Sequence, residues 1–346
     1  MNFLFISYYY SMDFLFNIID VFIVLVPILL GVAFITLLER KAMGSMQRRL
    51  GPNIVGYFGL LQPIADALKL IVNESILPFS SNAVLFYIGP AVTLICALLG
   101  WAVIPFGYGL TTCDLDIGVI YSIAISSLGV YGILIAGWSS NSKYSFIGTI
   151  RSSAQLISYE LILSSAIILV IFLNGSFNYS EIISNQKVIY NIVPLFPVFI
   201  IFIICALAET NRAPFDLPEA ESELVAGFMT EYSAVVFVFF FLAEYSNIIL
   251  ISSLSSIFFL GGFDIPEILV VIKSYTLDFF IINGLFTGLI LGVKTGLIIF
   301  IFILVRASFP RIRYDQLINF CWLQLLPLVF ALIVFFPSIM IAFDIL

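Results

Sequence analysis

Five carboxylates and one arginine (Glu209, Arg212, Asp216, Glu219, Glu221 and Glu223) fall within fifteen residues of a chain that is only 10% charged. Apolar runs flank the stretch on both sides, so these acids lie at or near a lipid bilayer. A charge at the centre of a membrane helix costs roughly 2.5–3.5 kcal/mol on insertion scales. A membrane protein that gathers acids at one place is suited to handling protons, cations or a polar substrate head. Asp216-Leu-Pro-Glu219 has the spacing of a helix capping box with proline in the first turn, which accounts for two of the acids. It leaves Glu209, Glu221 and Glu223, and beyond them Glu231 and Glu244. On a helix Glu219 and Glu223 share a face, while Glu221 points elsewhere. Glu244 sits deep in an apolar run, where a carboxylate must take up a proton or find a partner. Closely spaced carboxylates titrate as a set and can pass protons.

Three other polar blocks interrupt the apolar sequence. Glu39-Arg40-Lys41 is followed by Arg48, Arg49, Gly51, Pro52 and Asn53. Basic side chains there can snorkel to the interface, or the glycine and proline can form a turn that a protein or anionic group touches. The second block runs from Arg151 through Gln155, Ser158 and Tyr159 to Glu160, at the start of an apolar run or one turn inside it. An acid at a helix N-terminus is electrostatically favoured; membership of a proton relay, with Tyr159, Gln155 and Ser158 as hydrogen-bonding neighbours, is the alternative. The third block, Arg306 to Leu317, holds three arginines beside Pro310. It either anchors a helix end, docks a partner surface or pairs with the acidic stretch.

The elements that must position these blocks follow from composition. The 346 residues are 62% hydrophobic, with mean hydropathy +1.16. Soluble domains are about 45–50% apolar and about 25% charged, so the fold class is an all-α polytopic membrane protein forming a single integral membrane domain over 1–346. Runs of spanning length occur at 14–38, 83–104, 117–138, 157–174, 191–208, 228–250, 280–305 and 318–342, which predicts eight transmembrane helices. Between them lie a first polar loop over 39–82 and the acidic loop over 209–230. Within the first loop, apolar Leu60, Leu61, Ile64, Leu68 and Ile71 alternate with Gln62, Asp66, Lys69 and Asn73. That spacing predicts an amphipathic helix over about 56–75, lying in the interface. Eleven of the fourteen basic residues fall in loops after the odd-numbered spans. The positive-inside rule places those loops on the cytoplasmic or matrix side. Gly284, Gly288, Gly292 and Gly296 recur every fourth position and predict a close helix-packing face. Residues 1–38 contain no lysine or arginine, so no transit peptide is expected and the first apolar run reads as a permanent span.

The residue inventory narrows the chemistry. There is no histidine, the commonest general base and metal ligand. Cys96, Cys113, Cys205 and Cys321 are scattered without a C-x-x-C pair, so neither a metal site nor an iron–sulfur cluster is expected on this chain. No phosphate-binding motif indicates a nucleotide or nucleic acid.

Together the blocks resemble one family, subunit 1 of respiratory complex I, NADH:ubiquinone oxidoreductase, and its bacterial counterpart. The matching pieces are Leu37 to Lys41, Arg49 to Gly56, Gly59 to Leu70, Ala154 to Glu160, Glu209 to Phe228, Glu231 to Ser233, Ala243 to Asn247 and Arg306 to Leu317. The resemblance covers nearly the whole chain in order. Ala213 resembles the mitochondrially encoded form. The resemblance implies a core membrane-arm subunit in the mitochondrial inner membrane, its loops facing the matrix; a bacterial plasma membrane is the alternative. It implies ubiquinone as substrate, held in a chamber that opens to the bilayer, with FMN and iron–sulfur clusters in partner subunits. Carried over by motif, Arg40 and Asp66 line the quinone entrance with Phe241 beside it. Glu160, Glu209, Asp216, Glu219, Glu221 and Glu244 form an acidic funnel that couples quinone reduction to proton translocation, and Arg212 is the countercharge. Two departures from the family pattern, Asn73-Glu74 and Leu323 after Trp322, remove positive charge. The alternatives are a stand-alone proton or cation transporter, to which Lys294 within a span would be suited, and the homologous component of a membrane-bound hydrogenase.

Overall fold

A computed structural model describes residues 2–216, 226–265 and 280–343. Among these residues every regular element is helical. Helix α1 runs from Asn2 to Met46. After a 3₁₀ turn at Tyr57–Gly59 come α2 (Gln62–Val72), α3 (Ala83–Leu99), α4 (Gly118–Ser139) and α5 (Lys143–Asn174). The short α6 (Tyr179–Asn185) leads to α7 (Phe196–Glu209). Then follow α8 (Ala234–Leu260), α9 (Phe280–Ser308), α10 (Tyr314–Asn319), a π-helical segment at Phe320–Leu325 and α11 (Leu326–Ala342).

Among the described residues seven helical stretches are long and apolar enough to cross a membrane, the last running continuously over Tyr314–Ala342, and the remaining expected span corresponds to α7. With 14 residues at 1.5 Å each, α7 covers only about 21 Å, short of the ~30 Å hydrocarbon core. The apolar run begins at 191, but 191–195 form turns.

Several span boundaries differ from the apolar-run reading; α8, for one, runs from Ala234 to Leu260 and not over 228–250. Helix α5 begins at Lys143, not 157, because the polar residues of its first half face protein and not lipid. Ser145, Ser152 and Gln155 are fully buried. Likewise α1 continues through Glu39-Arg40-Lys41 to Met46, so the first polar loop begins inside a helix. The amphipathic helix is present as α2, packed against α1 and α8. It buries no residue, and Leu60, Leu61, Ile64, Leu68 and Ile71 all remain exposed, the pattern of a helix whose apolar face meets lipid or another chain.

The core is built by α5, α7 and α8 around Tyr159, Ile162, Phe202, Phe258 and Phe259. Helix α4 packs between α3 and α5, and α9 packs against α8. Among the described residues no helix packs closely on the glycine stripe of α9. Gly284 and Gly288 approach only the 106–110 loop, and Gly292 and Gly296 have no neighbour within 4 Å of a built Cβ. The close approaches in this bundle lie elsewhere. A Cβ on Gly132 would meet Thr93 at 2.4 Å, and one on Gly148 would meet Gly227 at 2.7 Å.

Lys294 is held by backbone carbonyls at the end of α8 and in the turn after it. Its Nζ donates to the carbonyl oxygens of Leu260 (2.7 Å), Gly262 (2.8 Å) and Asp264 (2.6 Å), and it lies 4.8 Å from the centroid of the Tyr190 ring. A cation placed on the last carbonyl of α8 and on two carbonyls of the turn that follows caps this helix end.

Candidate functional site

Three of the acids found by sequence come together from three helices. A cavity of about 110 Å³ is lined by Glu160 from α5, Glu209 from α7 and Glu244 from α8, with Ser126, Asn211 and Asn247 among its polar neighbours. A buried water needs roughly 10–15 Å³ of such volume and two to four polar partners, so the space and its lining suit a small water cluster.

Glu160 is not at a helix start. It lies seventeen residues into α5, so the helix-terminus explanation of this acid does not apply. Its partners also differ from those expected. Ser126 Oγ donates to Glu160 Oε1 at 3.1 Å, and Ser127 Oγ makes a short hydrogen bond to the same oxygen; both come from α4. Tyr159 instead donates to the Leu317 carbonyl (3.2 Å). Ser158 Oγ donates to Ala154 O (2.7 Å) and accepts from Trp322 Nε1 (3.3 Å). Gln155 Nε2 reaches Ala208 O at 2.8 Å and Phe215 O at 2.9 Å. It thereby binds the end of α7 to the start of the acidic stretch and fixes where Glu209 projects. Glu209 is the last residue of α7, and its Oε2 is buried without a hydrogen-bond partner among the described residues.

Beyond the cavity the acids continue as an ion-pair cluster. Arg212 Nε lies 3.6 Å from Glu244 Oε1, and Arg212 Nη1 lies 3.6 Å from Glu39 Oε1. Arg212 is only 5% exposed, and its guanidinium stacks 4.3 Å from the centroid of the Tyr245 ring. Glu39 is 6% exposed. It accepts a short hydrogen bond from Arg306 and one from the Tyr245 hydroxyl at 2.8 Å. The cluster therefore joins α1, α8, α9 and the residues after α7. Two arginines face two carboxylates, Glu39 and Glu244. Charges this far from water require such pairing, because one left alone would cost several kcal/mol.

Asp216 stands apart from the cavity. Its carboxylate meets Arg311 Nη2 at 3.1 Å, and Ile312 N donates to the Pro214 carbonyl at 3.1 Å. The Arg306–Leu317 block thus pairs with the acidic stretch, one of the three readings open from sequence. Glu219 and Glu221, and the expected capping box at Asp216–Glu219 beyond its first residue, lie outside the described residues.

Arg40 and Asp66 meet directly at 2.7 Å, with both side chains exposed, and Gln62 Nε2 donates to the other oxygen of Asp66 at 2.9 Å. This bridge ties α2 to α1, and Arg40, Arg49, Asn53 and Gln62 line an open hollow of about 480 Å³ beside it. Phe241 lines neither cavity; it stacks on Tyr245 with ring centroids 6.1 Å apart. Arg40 and Glu39 are consecutive on α1, so the exposed bridge and the buried cluster start from neighbouring backbone positions while their side chains take different faces, Arg40 exposed and Glu39 buried.

Sequence reasoning missed Glu39, Tyr245, Ser126 and Ser127 as members of the site. Glu39 was obscured by the two basic residues that follow it, which make the block read as an interfacial anchor. Ser126-Ser127 is a polar doublet inside an apolar run, and that was the available signal.

Known proteins match this chain over most of its length. A family model described as NADH dehydrogenase matches residues 19–337. The chain is 56% identical over 332 residues to NADH-ubiquinone oxidoreductase chain 1 of Mycosarcoma maydis, covering 96% of this chain and 98% of that protein. It is 52% identical over 332 residues to the protein of the same name from Yarrowia lipolytica, covering 95% of this chain and 97% of that protein. It is 51% identical to the protein of that name from Arabidopsis thaliana, covering 93% of this chain and 96% of the relative.

Proposed function

The chain belongs to the NADH dehydrogenase family, as a membrane subunit of the NADH-ubiquinone oxidoreductase, complex I, and we propose that it forms the entry chamber for ubiquinone and the charged path that links quinone reduction to proton translocation. One observation carries this reading. Glu160, Glu209 and Glu244 face one cavity, and Glu244 continues through Arg212 to Glu39, next to the Arg40–Asp66 bridge. Paired and cavity-facing charges therefore recur from the exposed bridge on α1 and α2, through the Glu39–Arg212–Glu244 cluster, to Glu160 in the middle of α5.

In this account the quinone head enters beside Arg40 and Asp66. Reduction of a quinone to a quinol takes up two electrons and two protons, and the electrons arrive from iron–sulfur clusters in partner subunits. The change of charge near Glu39 redistributes the pairing of Arg212 between Glu39 and Glu244. Those two contacts are equally long at 3.6 Å, so neither acid holds the guanidinium exclusively. The state of Glu244 then acts on Glu209 and Glu160 across the cavity. Partners of the chain are other complex I subunits, and its membrane is the mitochondrial inner membrane, with the basic loops facing the matrix.

Asp66→Ala tests the quinone end. In isolated membranes NADH:ubiquinone reductase activity should fall while NADH oxidation by ferricyanide, which takes electrons in the hydrophilic part, survives. Normal ubiquinone turnover would remove Arg40 and Asp66 from the entrance.

A further inference from the structure

We propose that Ser126 and Ser127, neighbouring hydroxyls on α4, are positioning residues that hold Glu160 in both of its charge states; this rests on the reading of Glu160 as a relay member. Both hydroxyls converge on the same oxygen, Oε1. Among the described residues no hydrogen bond reaches Oε2, and the Glu160 side chain lines the cavity. One carboxylate oxygen is thus fixed by protein and the other is left to the cavity.

Each hydroxyl has a second acceptor within reach. Ser126 Oγ lies 2.8 Å from the Ile123 carbonyl and Ser127 Oγ lies 3.0 Å from the same oxygen. A serine hydroxyl has one proton and two lone pairs, so each can point its proton at only one of the two. When Glu160 is ionised, the protons turn to Oε1 and the carboxylate is met by two donors. When Glu160 is protonated, the hydroxyls turn back to Ile123 and can accept. Serines within membrane helices ordinarily bond back to the preceding turn and do nothing else. What sets this pair apart is that the alternative acceptor is a carboxylate on another helix. The pair lets Oε1 of Glu160 keep a hydrogen-bond partner in either charge state, which lowers the cost of the change.

The test uses intact complex I in membranes, with rates normalised to the ferricyanide reaction. The double variant Ser126→Ala/Ser127→Ala should lower ubiquinone reduction by about tenfold, each single alanine by about threefold, and Ser127→Thr, which keeps the hydroxyl, should keep most of the rate. The deciding comparison is made in the Glu160→Gln background, where adding the two alanines should cost nothing further, because the serines act through Glu160. An equal loss from the alanines in both backgrounds would overturn the proposal in favour of helix packing. So would full rates from all serine variants while Glu160→Gln is slow. A normal rate from Glu160→Gln alone would overturn the relay reading, and this proposal with it.

Discussion

Replacing Tyr245 by phenylalanine removes one oxygen from the centre of the ion-pair cluster and little else. The ring that stacks on Arg212 at 4.3 Å and on Phe241 is retained, as is the helix. What is lost is the 2.8 Å hydrogen bond to Glu39 Oε2. Glu39 keeps Arg306 and Arg212, but both act on Oε1, so Oε2 loses its donor in a site that is 6% exposed. A hydrogen bond to a charged group contributes about 1.5–3 kcal/mol, and leaving the acceptor unmet in a buried site is of the same order. Spread over a rate, that is roughly 10- to 150-fold. The two remaining arginines place the effect at the low end, about tenfold. The assay is the ratio of NADH:ubiquinone to NADH:ferricyanide activity in membranes from the Tyr245→Phe strain, with assembly followed on native gels. An unchanged ratio in fully assembled enzyme would refute the view that the charge of Glu39 is balanced for turnover.

Three further outcomes are expected. Glu160→Gln should assemble and show reduced ubiquinone reduction and reduced proton pumping together; a fall in one without the other would break the link between the cavity and the quinone. Lys294→Met should leave the Leu260, Gly262 and Asp264 carbonyls without their shared donor. That costs about 3 kcal/mol or more, so assembled complex should become scarcer and inactivate at lower temperature, with normal activity per assembled enzyme; a selective loss of pumping would contradict its role as a helix cap. A photoreactive ubiquinone analogue should label peptides from 40–72, and labelling confined to α9 or α11 would contradict the proposed entrance.

The helices were legible because each buries its backbone hydrogen bonds within itself and shows lipid a run of apolar side chains, which is a local property of sequence. Their ends were less legible wherever polar residues face protein. Ser145, Ser152 and Gln155 make the first half of α5 look like a loop, although all three are buried. The acids of the cavity were legible because a carboxylate in an apolar run is costly and so informative. Their partners were not. Nothing local in the sequence says that Glu39 meets Tyr245, 206 residues away, or that Glu160 meets a serine doublet on the preceding helix. The glycine stripe is a different case: its spacing suggests a packing face, yet among the described residues nothing lies within 4 Å of where a Cβ on Gly292 or Gly296 would sit.

Glu209 gives the most direct test of the central claim. Its Oε2 is buried without a hydrogen-bond partner among the described residues, and it shares the cavity with Glu160 and Glu244. The measurement is proton translocation and ubiquinone reduction in the same proteoliposomes, with assembled Glu209→Gln enzyme beside the unaltered enzyme. Both activities should fall by the same large factor while the ferricyanide reaction is unchanged. Quinone reduction and pumping at normal rates would contradict the account and take the charged path out of this subunit.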